Sequence, residues 1–110
     1  DSLVERAQHW LQSNMTKELR ISVLADALAI SDRTLIRRFK AALGQTPLAY
    51  LQDLRLEAAR ALLETGDLSV EAIGGQVGYN DTSSFSRLFR QRIGMSPGAY
   101  RNRFQINSAP

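Results

Sequence analysis

The chain has 110 residues, 44% of them apolar, which suffices for one compact domain with a modest core. It has no cysteine, so disulfides and thiolate metal sites are excluded, and no apolar run is long enough to span a bilayer or to resemble a signal peptide. The formal net charge is only +3, and the chain begins with Asp1 rather than methionine, which points to a piece of a longer protein.

Residues 3–13 read as an amphipathic helix capped by Ser2, with Val4, Ala7, Trp10 and Leu11 on one face and Trp10 as an anchor of the core. His9, the single histidine, has no partner at metal-ligand spacing and reads as a surface residue. After a polar connection at residues 17–20, Ser22 is the expected cap of a short helix whose apolar side is Val23, Leu24, Ala27 and Leu28. Ser31 caps the next helix, about residues 32–43, with Leu35, Phe39 and Leu43 inward and Arg33, Arg37 and Lys40 clustered on the opposite face beside Ile36. Thr46-Pro47 opens the longest helix, about residues 47–65, ended by Gly66, with an expected apolar stripe of Leu48, Leu51, Leu54, Ala58, Ala61 and Leu62.

Residues 69–100, SVEAIGGQVGYNDTSSFSRLFRQRIGMSPGAY, hold the densest local signals. Ser69 is an N-cap with Glu71 in the first turn, Val70, Ile73 and Val77 recur at helical spacing, and Gly78 can close that helix in a left-handed conformation. Asn80 or Asp81 caps a second helix, about residues 82–93, whose inner side is Phe85, Leu88, Phe89 and Ile93. Gly94 ends it, and Ser96-Pro97 starts another helix. Two short helices joined by so few residues, the second basic on its outer face, form the pattern of a helix-turn-helix. Glycines inside a helix are costly. Gly74 is intelligible where helices cross tightly, whereas Gly75 has no evident purpose. The last residues of the chain are expected to fray.

The pattern occurs twice. Aligning Phe39 with Phe89 places Leu35 on Phe85, Arg37 on Arg87 and Lys40 on Arg90, and then Gly44, Pro47 and Tyr50 on Gly94, Pro97 and Tyr100. Upstream of the turn the offset falls by one, so that Leu24 matches Ile73 and Ala25 matches Gly74, and one copy has a turn one residue longer. An internal duplication is far more specific than a lone helix-turn-helix pattern. Charge follows the duplication. Residues 31–45 hold Arg33, Arg37, Arg38 and Lys40 against Asp32, and residues 81–104 hold Arg87, Arg90, Arg92, Arg101 and Arg103 against Asp81. Those windows contain nine of the fourteen basic side chains and two of the eleven acids, so the segregation favours a polyanion with two matching contact sites over a merely solvated face.

These residues resemble the DNA-binding domain of the AraC/XylS regulators, from about Val4 to Phe104. The resemblance is densest in Ile73…Gly78-Tyr79…Ser84-Phe85-Ser86-Arg87-Leu88-Phe89-Arg90…Gly94-Met95-Ser96-Pro97…Tyr100-Arg101, and the copy from Ser31 to Arg55 agrees. It implies an all-α fold of about seven helices in a single DNA-binding domain. Lobe one spans about residues 2–45, a central linker helix about 47–65, and lobe two about 69–104. It implies base contacts from Arg33, Ile36 and Arg37 and from Thr82, Ser83, Ser86 and Arg87, with Lys40 and Arg90 at phosphates. Gly74 departs from the alanine expected of the family and would loosen the second lobe.

The resulting expectation is sequence-specific binding of double-stranded DNA in transcription regulation, in the cytoplasm. The two recognition helices would enter successive major grooves about one turn (~34 Å) apart. RNA polymerase is a further candidate partner, no membrane or cofactor is implied, and any effector belongs to a separate domain. The rival is a helical protein-interaction module touching the transcription machinery. RNA is disfavoured for want of an aromatic stacking platform. Catalysis finds no support: Ser83, Ser84 and Ser86 have no histidine beside them in sequence, and GGQVG lacks the lysine and preceding strand of a phosphate loop.

Overall fold

The structure, a computed structural model, describes residues 1–106, so the expectation of fraying at the last residues lies outside the described part. Seven helices follow one another: α1 (Ser2–Asn14), α2 (Ile21–Ala27), α3 (Asp32–Leu43), α4 (Pro47–Thr65), α5 (Val70–Gln76), α6 (Thr82–Ile93) and α7 (Pro97–Phe104). No strand occurs among the described residues. The chain divides into two compact units, Asp1–Leu54 and Arg55 onward, with the division inside α4.

Most helix starts are local chemistry. The hydroxyls of Ser31, Ser69 and Ser96 accept from the backbone N–H groups of Thr34, Ala72 and Ala99 at 3.0–3.1 Å, each satisfying one orphan donor of a first turn. Asp81, rather than Asn80, caps α6 by accepting from the Ser83 N–H at 3.1 Å. Two expected caps are wrong. Asp1 caps α1 by accepting from Leu3 N–H at 3.0 Å, which leaves Ser2 inside the helix. The N-cap of α2 is Arg20 with no side-chain bond, so Ser22 lies one position inside that helix.

Unit 1 encloses Val4, Ala7, Leu11, Leu24, Ala25, Leu35, Phe39 and Leu51. Trp10 packs against this core half-buried rather than anchoring its centre. Unit 2 encloses Leu56, Ala59, Leu63, Ile73, Val77, Phe85, Phe89 and Tyr100. Val4, Ala7 and Leu11 recur in spacing as Leu56, Ala59 and Leu63, so the second half of α4 is the first helix of unit 2 just as α1 is of unit 1. The duplication therefore reaches further upstream than the turn motifs indicate.

This corrects the stripe expected on α4. Pro47, Leu51, Arg55, Leu56, Ala59 and Leu63 are its buried positions, whereas Leu48 is 49% exposed and Ala61 is exposed. The helix carries leucines around much of its circumference, so spacing alone could not select the buried set. Similarly, Val23, Ala27 and Leu43 are exposed, and α2 buries Leu24 with Ala25 instead.

A tyrosine hydroxyl at the equivalent place makes a tertiary hydrogen bond within each unit. Tyr50 accepts from Gln12 Nε2 at 2.9 Å in unit 1. At the equivalent place, the Tyr100 hydroxyl donates to Glu64 and accepts from Arg60 Nε at 3.1 Å. Each tyrosine also meets a phenylalanine of α3 or α6 edge-on, Tyr50 with Phe39 at 5.4 Å and Tyr100 with Phe89 at 5.6 Å. At the far end, Gln105 Nε2 donates to Gly66 O and Ile106 N–H to Glu64 O, satisfying carbonyls at the end of α4.

Candidate nucleic-acid interface

Each unit presents the second helix of its helix-turn-helix, held by two buried aromatic or aliphatic anchors: Leu35 and Phe39 in α3, Phe85 and Phe89 in α6, all fully buried. The opposite side of each helix is then necessarily turned outward. The linking turns occupy residues 28–31 and 77–81, so the second is one residue longer, as the alignment requires. Ala29 and Gly78, equivalent in the repeat, both take positive φ, at 59° and 106°. Both α3 and α6 end on a left-handed glycine, Gly44 and Gly94.

On α3, Arg33, Ile36, Arg37 and Lys40 are all exposed and fall at positions i, i+3, i+4 and i+7, one continuous stripe. Ile36 is 40% exposed among these cations. On α6 the corresponding stripe is Ser83, Ser86, Arg87 and Arg90, with Thr82 at the helix start. Ser83, Arg87 and Arg90 are exposed, whereas Thr82 and Ser86 are half-buried. The structure thus brings the expected residues of each unit onto one face and ranks them: four open positions on α3, three open and two recessed on α6. Lys40 and Arg90 lie in the last turns of their helices, where the helix dipole favours a cation.

Not every cation of the two basic windows belongs to these faces. Arg38 is gripped by Asp1, with Nη2–Oδ1 at 2.8 Å and Nε–Oδ2 at 3.1 Å, so this arginine ties α3 to the start of α1. Its place was legible in the duplication, because the equivalent residue is the half-buried apolar Leu88. The Arg103 guanidinium lies 5.5 Å from the centre of the Phe104 ring.

Sequence reasoning treated Asp81 only as a cap. Its carboxylate also accepts from the Ser84 hydroxyl at 2.8 Å, which engages one of the three neighbouring serine hydroxyls. That hydroxyl first, then the Ser83 N–H, holds the Asp81 carboxyl below the usual carboxylate range, and the charge of Arg87 adds to the effect. His9 is exposed, and no group of histidine and acidic side chains suited to a metal occurs among the described residues. No helix of the described residues is long and apolar enough to cross a membrane.

The sequence profile of a helix-turn-helix domain matches residues 24–103. An AraC-like transcription regulator of Streptomyces lividans is 39% identical over 101 residues, covering 92% of this chain and 33% of its own length. The chain accordingly spans about a third of the length of the curated relatives it matches. Among solved structures, the C-terminal domain of AraT, a response regulator of Geobacillus stearothermophilus, superposes with a TM-score of 0.95 at 30% identity, covering 100% of this chain and 92% of that one. The DNA-binding domain of AdpA, a global transcriptional factor solved with a target DNA, gives 0.86 at 32% identity, covering 92% and 91%. The duplicated helix-turn-helix, its caps and its matched span agree, and the chain belongs to the AraC-type family of helix-turn-helix transcription regulators.

Proposed function

We propose that this chain binds double-stranded DNA sequence-specifically in transcription regulation, with α3 and α6 as recognition helices in successive major grooves. One observation carries the reading: two outward stripes, each ending in an exposed cation, recur at equivalent positions on the second helix of two duplicated helix-turn-helix motifs. An α-helix with its side chains is about 10–12 Å across, and the major groove is about 12 Å wide, so such a stripe can reach base edges. In this reading Arg33, Ile36, Arg37, Thr82, Ser83, Ser86 and Arg87 face bases. Ile36 then has a purpose, because a thymine methyl covers it. Lys40 and Arg90 meet phosphates as each helix leaves the groove.

The AdpA structure with a target DNA and the regulatory relatives support this assignment, and with it a cytoplasmic role of binding rather than catalysis. RNA polymerase is a second candidate partner, and an effector, where one is used, binds a separate domain. The test is anisotropy of a labelled mixed-sequence duplex across a salt series. Contact with about 5–8 phosphates gives log K against log[salt] a slope of about −5 to −7. A flat titration sinks the reading in favour of a protein-interaction module.

A further inference from the structure

The two outward stripes match place for place in the repeat but differ in chemistry. Arg33 falls on Ser83 and Ile36 on Ser86, whereas Arg37 and Lys40 keep cationic counterparts in Arg87 and Arg90. All four α3 positions are exposed, while Ser86 is half-buried. α3 therefore spreads three cations along one face, at spacings of four and three residues, where like charges repel across a turn of helix. No ion pair or hydrogen bond holds Arg33 or Arg37 among the described residues; the salt bridge of α3 engages Arg38 instead. On α6 a serine at the first of these places relieves the repulsion. Unpaired cations at this spacing destabilise the free helix, so they point to acceptors that a ligand supplies.

Base edges answer these side chains unequally. An arginine fork bonds guanine O6 and N7 together, and an outward isoleucine fits the thymine methyl, so each fixes one base. A serine hydroxyl sits close to its helix, both donates and accepts, and suits either kind of edge. Arg33 and Arg37 are one turn apart, about 6 Å along the helix axis, against a base rise of about 3.4 Å, so their guanines lie about two base pairs apart. Resting on the reading that α3 and α6 enter major grooves, we propose that the two half-sites are read unequally. α3 demands two guanines, about two base pairs apart, with a thymine beside them. α6 demands only the guanine of Arg87 and tolerates changes next to it. The ligand is then an asymmetric duplex rather than a repeat of two equal half-sites, and the richer half sets the direction in which the protein sits on it.

Exchanging the side chains between equivalent places tests this directly. Bound duplexes are selected from a randomised library with the wild type, with the double variant Arg33→Ser, Ile36→Ser and with Ser83→Arg, after thermal melting has verified that each is folded. The wild-type pool should hold one half with two fixed guanines and another with one, each preferred about 5- to 150-fold over other bases. The double variant should reduce the richer half to a single guanine and leave the other half unchanged. Ser83→Arg should add a second guanine to the poorer half, because α3 already carries an arginine at that place. If the double variant fails to fold, the wild-type count and Ser83→Arg decide. Equal numbers of fixed positions in the two wild-type halves overturn the proposal while DNA binding stands. So does a folded double variant that keeps both guanines, or a Ser83→Arg pool identical to that of the wild type. Absence of any salt-dependent binding by the wild type overturns the DNA reading itself, and this proposal with it.

Discussion

The guanidinium of Arg55 lies where a side chain on Gly78 would begin. A Cβ built on Gly78 would stand 2.8 Å from Arg55 Nη2 and 2.9 Å from its Cζ, closer than real Cβ contacts come. Arg55 is only 6% exposed and stacks on Tyr79, 4.9 Å from the ring centre, so it has little room to retreat. In unit 1 the corresponding buried residue is Leu3, and the corresponding turn residue is Ala29. Unit 2 thus substitutes a cation on an aromatic face for an aliphatic contact, and the glycine makes that possible.

Two opposite outcomes follow for the equivalent turn positions. Gly78→Ala should destabilise by about 2 kcal/mol or more, combining left-handed strain with displacement of a desolvated cation–π pair. Ala29 already bears the strain, at φ 59° and exposed, so Ala29→Gly should stabilise by about 0.5 kcal/mol after the glycine entropy is subtracted. Urea denaturation of both variants is the measurement. Equal effects of the same sign would show that the two turns are not equivalent.

Gly74 and Gly75 separate cleanly. A Cβ on Gly75 meets nothing within 4 Å, so Gly75→Ala should raise stability by about 0.5–1 kcal/mol through helix propensity alone. A Cβ on Gly74 would lie 3.1 Å from Phe85 Cδ2. Unit 1 places Ala25 and Leu35 there, a pair of nearly the same total volume, so the Phe85 ring occupies the space of the missing methyl and Gly74 does not loosen the unit. Gly74→Ala should therefore cost about 1 kcal/mol by overpacking, and Phe85→Leu about 1 kcal/mol or more by underpacking. The double variant, which recreates the unit 1 pair, should be less destabilised than the sum of the two. Strict additivity in the cycle would disprove the packing account.

The Tyr100 phenol is pushed above its ordinary value, first by burial and then by its hydrogen bond to Glu64. A group whose folded pKa is raised contributes stability that is fully present below its unfolded pKa, about 10, and is lost as pH rises through the folded value. Thermal stability should accordingly fall above about pH 10. Tyr100→Phe, which removes the titrating group, should flatten that alkaline decline while lowering stability at neutral pH. A decline of the same steepness in Tyr100→Phe would place its origin elsewhere.

Arg37 and Arg87 sit at equivalent exposed positions, each two residues after a buried anchor, Leu35 or Phe85. An arginine bonded to guanine O6 and N7 discriminates by about 1–3 kcal/mol. Arg37→Ala and Arg87→Ala should each relax preference at one position, and the two positions should lie about one helical turn apart. Lys40→Ala should weaken all sequences evenly and shave about one unit from the salt slope. Footprints decide between two readers and one. Altered preference in Arg87→Ala alone would leave unit 1 as a backbone clamp.

Seven helices, the two turns, the left-handed Gly78 and the faces carrying Arg33, Arg37, Arg87 and Arg90 were legible in the chain as written. Each is local: a capping hydroxyl acts on an N–H three residues away, and helical spacing assigns outer and inner sides once two anchors such as Phe85 and Phe89 are recognised. What only the tertiary structure decided is which of several apolar faces is buried. α4 has leucines on most sides, and the choice of Leu56, Ala59 and Leu63 over Ala61 depends on what α5, α6 and α7 offer. The pairing of Arg38 with Asp1, Arg55 with Gly78, and Tyr100 with Glu64 likewise joins residues distant in sequence. Helical periodicity reports a residue's direction around its own axis; which neighbour waits there is settled by packing across the core.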